Sequence, residues 1–300
     1  MPKAGTLLEK VEIKLDAELK KGLSKFNDPA HMRLIIDVAE RVRLFSIIYW
    51  SNGYKVKGFM AEPRRLKGKM PCIIWNRGGS GDFGSIKIGP AFRWLGRMAD
   101  WGYIVIASQY SGNAGSEGKE DLGGQKTIAD VLNLKFILEK TPHADTDRIG
   151  MYGASRGGMM TYRCLALVKW IKGAVTVAGA ADSMRQIKLR PEMAEHFKRY
   201  GLTKQDLKMR SAVEWPEKFH KKTPLLMMHG TADWRVSYLD SLDLSRLLYE
   251  EKVPHRLMSF EGGDHSIYEH AEERNRATRE WFDRYVRDNA PLPDLNLHGE

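Results

Sequence analysis

From Pro71 onward, short apolar runs alternate with longer stretches of helical period, and this alternation restricts the fold more than any other feature of the chain. The runs lie at 71–76 (PCIIWN), 103–108, 148–152, 173–178, 224–229 and 255–260, and helical patterns fall between and after them near 89–101, 124–140, 156–170, 237–252 and 266–288. A strand buried on both faces reads as a continuous apolar run, whereas a strand with one wet face alternates. Fully buried strands joined by helices build a parallel sheet with crossover helices on both faces. Ahead of them, "RLFSIIYWSNGYKVKGFMAEP" holds two β-rich runs joined by Asn52-Gly53, a strong hairpin signal, so two antiparallel strands precede the six. The expectation is an α/β fold with about eight strands, mostly parallel.

The rest of the chain is read around this block, which extends over 44–290. Two amphipathic segments open the sequence, one over 7–22 and one from "NDPAHMRLIIDVAERV", where Asp28 as N-cap and Pro29 behind it mark a helix start. Residues 1–43 are therefore expected to form a helical extension, and 291–300 a short tail. Residues 181–222 form an insertion of helical pattern longer than an ordinary connection, placed to cover the strand ends as a partial lid. Cys72 and Cys164 fall in apolar surroundings and read as buried thiols. No stretch looks like a signal peptide or a membrane span, so a cytoplasmic protein is expected. The net charge of +10 raises the question of nucleic acid. The basic residues are interleaved with acids, as in "AEERNRATREWFDRYVRD", which describes a solvated helix face and not a phosphate-binding stripe.

The run at 148–152 ends in Gly153-Ala154-Ser155-Arg156-Gly157, the G-x-S-x-G pattern, with Gly158 beyond it. Glycines on both sides of a serine suit a strand that turns sharply into a helix and leaves the hydroxyl exposed at the sheet's edge. Serine is a weak nucleophile, so Ser155 needs a base, and the base needs an orienting carboxylate. In a parallel sheet such partners come from loops after strand C-termini. His265 follows the last strand, in "FEGGDH", and Asp233 follows the strand before it, in "HGTADW". Asp264 is the rival carboxylate; adjacent residues in an extended loop point apart, which favours Asp233. His229, at a strand end, reads as a brace for the acid's loop. His270 and the histidines at 31, 143, 196, 220, 255 and 298 read as structural or surface residues. The developing oxyanion needs N–H donors: Arg156 supplies one, and the glycine-rich "NRGGSGDFG" after the run at 71–76 the other. A phosphate-cradling loop is the alternative for that stretch, but it matches neither common phosphate-loop pattern.

Together "GASRGG", "HGTADWRV" and "GGDH", in this order and spacing, resemble the catalytic domain of the prolyl oligopeptidase branch of the α/β-hydrolases, which includes acylaminoacyl and dipeptidyl peptidases. The likeness covers about residues 44–290, and "SQYSGNAGSEGKEDLGG" is similar to a further segment of that branch. It implies an α/β-hydrolase fold, Ser155 as nucleophile, Asp233 as acid, His265 as base, and Gly78 with Arg156 at the oxyanion hole. Two departures stand out. The branch commonly reads H-G-G-P where this chain has Arg77-Gly78-Gly79-Ser80, and its large peptidases carry a β-propeller that the short N-terminal segment here cannot form.

The expectation is therefore a serine hydrolase without cofactor or metal, cleaving small carboxylic esters, with a serine peptidase as the alternative. A peptidase that reads free amino termini needs acids for the substrate's ammonium group; Glu192 and Glu195 are the candidates in the insertion and read as solvated helix residues. A non-catalytic binding relative would usually have lost a member of the set, and a metal-dependent hydrolase would need a ligand cluster such as H-E-x-x-H, which the sequence lacks.

Overall fold

A computed structural model describes residues 1–299, which form two compact units. The first comprises Met1–Glu120 with Gln125–Arg148, the second Asp121–Gly124 with the chain from Ile149 on. The sheet has nine strands among the described residues, mostly parallel and packed with helices, as in α/β-hydrolases.

The first unit opens with β1 (Leu7–Ile13), α1 (Ala17–Ser24) and α2 (Pro29–Arg41). Here the expectation of a purely helical extension fails, because 7–13 is a strand and helix begins only at Ala17. β1 pairs antiparallel with β2 (Val42–Ser51), Ile13 opposite Leu44, and it is the ninth strand that the sequence reading did not count. A stretch such as "LLEKVEI" is too short to fix its own period, and its partner in the sheet decides the outcome. Asp16 caps α1 by accepting from Leu19 N–H, and Asp28 caps α2 by accepting from His31 N–H. β2 and β3 (Tyr54–Pro63) form the expected hairpin, with Ser51 opposite Tyr54. Asn52 (φ 50°) and Gly53 (φ 84°) take the two positive-φ positions of a tight hairpin turn. β4 (Met70–Asn76) pairs parallel with β5 (Ile104–Ser108), and β5 pairs antiparallel with β3. Every residue of β4 and β5 is buried, which explains their unbroken apolar texture. The helices of this unit are α3 (Ile88–Ala91) and α4 (Arg97–Asp100), joined through a π-helical turn, then α5 (Gln125–Leu132) and α6 (Leu134–Glu139).

In the second unit β6 (Ala144–Ala154), whose first residues belong to the first, lies beside β7 (Ile171–Val177), β8 (Leu225–Gly230) and β9 (His255–Phe260), each pair parallel. Their connections are α7 (Arg156–Leu167), the insertion, and α11 (Tyr238–Glu250); α12 (Ala271–Phe282) follows β9. Parallel pairing puts the C-terminal ends of β6, β8 and β9 on one edge, so Ser155, the loop after Gly230 and the loop after Phe260 share that edge.

The insertion is helical as expected, with α8 (Ser183–Leu189), α9 (Glu192–Arg199) and α10 (Lys204–Met209). It has a small core of Phe197 and Leu207 with Ile187, Met193, Tyr200 and Leu202, and the most buried member of that core, Leu122, comes from outside the insertion. Arg210 fastens the same segment by donating to Leu122 O (3.0 Å) and Asp121 O (2.6 Å), and Arg163 of α7 donates to Gly123 O. No helix among the described residues is long and apolar enough to cross a membrane.

Candidate active site

Ser155 is the N-cap of α7, with φ 56° and ψ −123°. For an L-residue this backbone conformation costs on the order of 1–3 kcal/mol and persists only where the surroundings over-determine it. They do so here. Ser155 N–H donates to Val177 O (2.8 Å) on β7, and Ser155 O accepts from Gly158 N–H (2.9 Å) and Ala180 N–H (3.3 Å). A Cβ on Gly153 would lie 2.0 Å from Gly157 O, and one on Gly158 would lie 2.5 Å from Gly179 Cα. The glycines around the serine are thus required by close approach of backbone to backbone. Arg156 opens α7, at the helix end where N–H groups point away from the helix body.

Asp233 lies in the loop after β8 with its side chain fully buried, and His265, in the loop after β9, keeps 16% of its side chain exposed. His265 Nδ1 is 2.7 Å from Asp233 Oδ2. The same oxygen is 3.1 Å from His229 Nε2, and Oδ1 accepts from Arg235 N–H (2.8 Å) and Val236 N–H (3.1 Å). Burial alone would raise the carboxyl's pKa, but the bonds from His229 and His265 outweigh it and hold Asp233 well below the usual carboxylate range. Asp264, the rival, accepts from Ser266 N–H (2.8 Å) and Tyr268 N–H (3.2 Å), so it caps its own turn. The hydrogen bonds of the described residues join Asp233 to His265; a bond from Ser155 Oγ to His265 is not among them.

The loop after β4 belongs to the first unit. Arg77 is wholly buried there, its guanidinium donating to the carbonyls of Gly78 (3.1 Å), Gly81 (3.0 Å), Phe83 (3.2 Å) and Gln109 (3.2 Å), over the Tyr110 ring at 5.0 Å. Tyr110 OH donates back to Arg77 O (3.1 Å). Arg77 therefore shapes the Gly78 loop from inside; five donors in a planar fork can gather carbonyls that a histidine could not reach together.

Among the other candidates, Glu192 binds Arg190 and Glu195 faces Lys198, both on exposed helix surface. His270 packs on Phe260, and His255 is bonded to Ser245 and Val253. Among the described residues no cluster of three or more His, Cys, Asp or Glu side chains is arranged to hold a metal. One feature the sequence did not suggest is Trp234, next to Asp233: it is 60% exposed, and the guanidiniums of Arg190 (5.5 Å) and Arg235 (4.9 Å) lie over its ring.

Residues 90–289 match the model of the prolyl oligopeptidase family. The chain is 31% identical over 222 residues to the "Uncharacterized peptidase YtmA" of Bacillus subtilis (strain 168), covering 72% of this chain and 81% of that one. It is 28% identical over 214 residues to the "Putative esterase YitV" of the same organism, covering 63% and 81%. Among solved structures, an acylaminoacyl peptidase of Pyrococcus horikoshii superposes with a TM-score of 0.74 at 21% identity; the match covers 88% of this chain and 45% of that one, which shows a shared fold. With its family model spanning β5 to α12 and a relative above 30% identity along most of its length, the chain belongs to the prolyl oligopeptidase family of serine hydrolases.

Proposed function

We propose that the chain hydrolyses acyl substrates through an acyl-enzyme on Ser155, with His265 as general base and Asp233 as the carboxylate that orients it. The observation that carries this reading is the 2.7 Å bond between His265 Nδ1 and a fully buried Asp233, on the sheet edge that also presents the strained Ser155. With Nδ1 held by the carboxylate, His265 Nε2 is left as the basic nitrogen. Ser155 Oγ attacks the acyl carbon as its proton passes to Nε2. Arg156 N–H donates to the oxyanion. Collapse breaks the bond to the leaving group, which takes the proton from His265; water then repeats both steps and releases the acid. Links between nucleophile and base are often loose without substrate and tighten in the complex.

Within this chemistry we favour carboxylic esters of small molecules. An alkoxide departs with little help, whereas an amine must be protonated in step with bond cleavage. Neither Glu192 nor Glu195 is set to receive a substrate ammonium group, since each pairs with a base on exposed surface. A fluorophosphonate should label Ser155 stoichiometrically, and Ser155→Ala should lose at least about 10⁴-fold in kcat. Short-chain p-nitrophenyl esters should exceed aminoacyl anilides by about tenfold or more in kcat/KM, a barrier difference of about 1.4 kcal/mol. Label on another residue refutes the mechanism, and anilide turnover equal to ester turnover makes the enzyme a peptidase.

A further inference from the structure

His229, at the end of β8, is wholly buried and binds with both ring nitrogens. Nδ1 is 2.7 Å from Ser241 Oγ on α11; Nε2 is 3.1 Å from Asp233 Oδ2 and 3.1 Å from Val236 O. A carboxylate and a carbonyl can only accept, so Nε2 carries the proton. Ser241 can give or take one, so its hydroxyl satisfies Nδ1 whichever way that proton lies. The neighbouring charges do not compete for these nitrogens. On α11, Asp240 accepts from Ala181 N–H (2.9 Å) and Asp182 N–H (3.0 Å) and pairs with Arg185 of α8, which also binds Asp243. Asp264, in the His265 loop, caps its own turn, and Tyr238 presents its ring to His229 edge-on at 5.8 Å, its hydroxyl bonded to Ser259. In the acid's own loop, the backbone N–H of Arg235 faces Oδ1. Asp233 Oδ2 thus receives two imidazole N–H groups, one from the expected base and one from a histidine that cannot reach substrate.

We propose that His229 is a positioning residue: its Nε2–H neutralises part of the Asp233 charge and so sets the pH below which His265 keeps its proton. This rests on the acyl-enzyme reading. A carboxylate with fewer donors holds an imidazolium more firmly. Remove the His229 donor and His265 stays protonated to higher pH, so the acid limb of the rate profile moves up. A residue that only filled space would leave that limb where it is.

The test uses the rate of Ser155 phosphonylation by a fluorophosphonate between pH 5 and 9, which requires no knowledge of the natural substrate. The amide nitrogen of asparagine stands two bonds from Cβ, as Nδ1 does, and that of glutamine three, as Nε2 does. His229→Asn should therefore move the acid limb up by about half to one pH unit, slowing labelling about three- to tenfold on that limb, and His229→Gln should return it most of the way. A limb unchanged in His229→Asn, with Ser155 still labelled in the wild type, overturns the role of His229 alone. A wild type not labelled at Ser155 overturns the acyl-enzyme reading beneath it. If His229→Asn does not fold, ¹⁵N spectra of histidine-labelled wild type decide: Nε2 of His229 should be protonated at every pH where labelling proceeds, and an unprotonated Nε2 overturns the proposal.

Discussion

Ser155 is held by its backbone and Asp233 by its side chain. At the serine, the side chain makes no part of the restraint: φ 56° is imposed by a backbone bond to Val177 and by glycines packed against neighbouring backbone. At the acid, the backbone is ordinary and the restraint is four N–H groups, two on each carboxylate oxygen. The difference follows from what each group is expected to do. A nucleophile must keep its oxygen unencumbered, so the fold grips the chain behind it. An orienting carboxylate must keep its charge and its direction, so the fold saturates it.

The contrast predicts different failures. The largest effect on turnover is expected from Asp233→Asn, which leaves the side chain's shape but puts a donor among N–H groups that need an acceptor; kcat should fall by about 10³- to 10⁴-fold. Asp264→Asn should cost less than tenfold, and the reverse ranking in steady-state kinetics would reassign the acid. Gly158→Val should fail the other way. Its side chain would be driven into Gly179 Cα, so we expect about 3 kcal/mol or more of lost stability in denaturant titrations, whatever activity remains in the folded fraction. Stability unchanged in this variant would mean that the elbow is not gripped from behind.

The smallest effect concerns Asp240, a buried carboxylate unlike Asp233 in one respect. Desolvation outweighs its N–H partners and Arg185, and its pKa rises to about 6 from 3.8. A carboxyl whose pKa is higher folded than unfolded binds more protons in the folded state between those values, so stability falls as pH rises through that window. Relative to Asp240→Asn, the wild type should lose up to about 3 kcal/mol between pH 4 and pH 6. A difference that is flat, or that grows in the opposite direction, would place Asp240 with Asp233 among carboxylates stabilised in their charged form.

Legibility in the sequence follows the same division. The tight turn at Ser155 could be read because backbone crowding leaves glycines behind, and the meeting of Asp233 with His265 because loops after strands are few. Strands β4, β5, β7 and β8 could be placed to within a few residues because double burial writes continuous apolar runs. β1 could not: "LLEKVEI" is a strand because β2 pairs with it, and that partner lies more than thirty residues away. Nor could all of the saturation of Asp233, since His229 is held by Ser241 only after α11 has docked. Arg77 read as a substitution in a family motif, whereas its work is to collect four carbonyls spread over two loops.

The insertion borrows the most buried residue of its core, Leu122, and Arg210 reaches back 88 residues to hold it. Three short helices with one apolar seam do not stand alone in water. The insertion is thus not a module. It cannot be cut out, grafted onto a relative or evolved at its own pace without carrying residues 121–124 with it. During synthesis, its helices emerge after their keystone and close onto a segment already made, so a ribosome stalled before Leu202 would expose a chain with the keystone present and no arch above it.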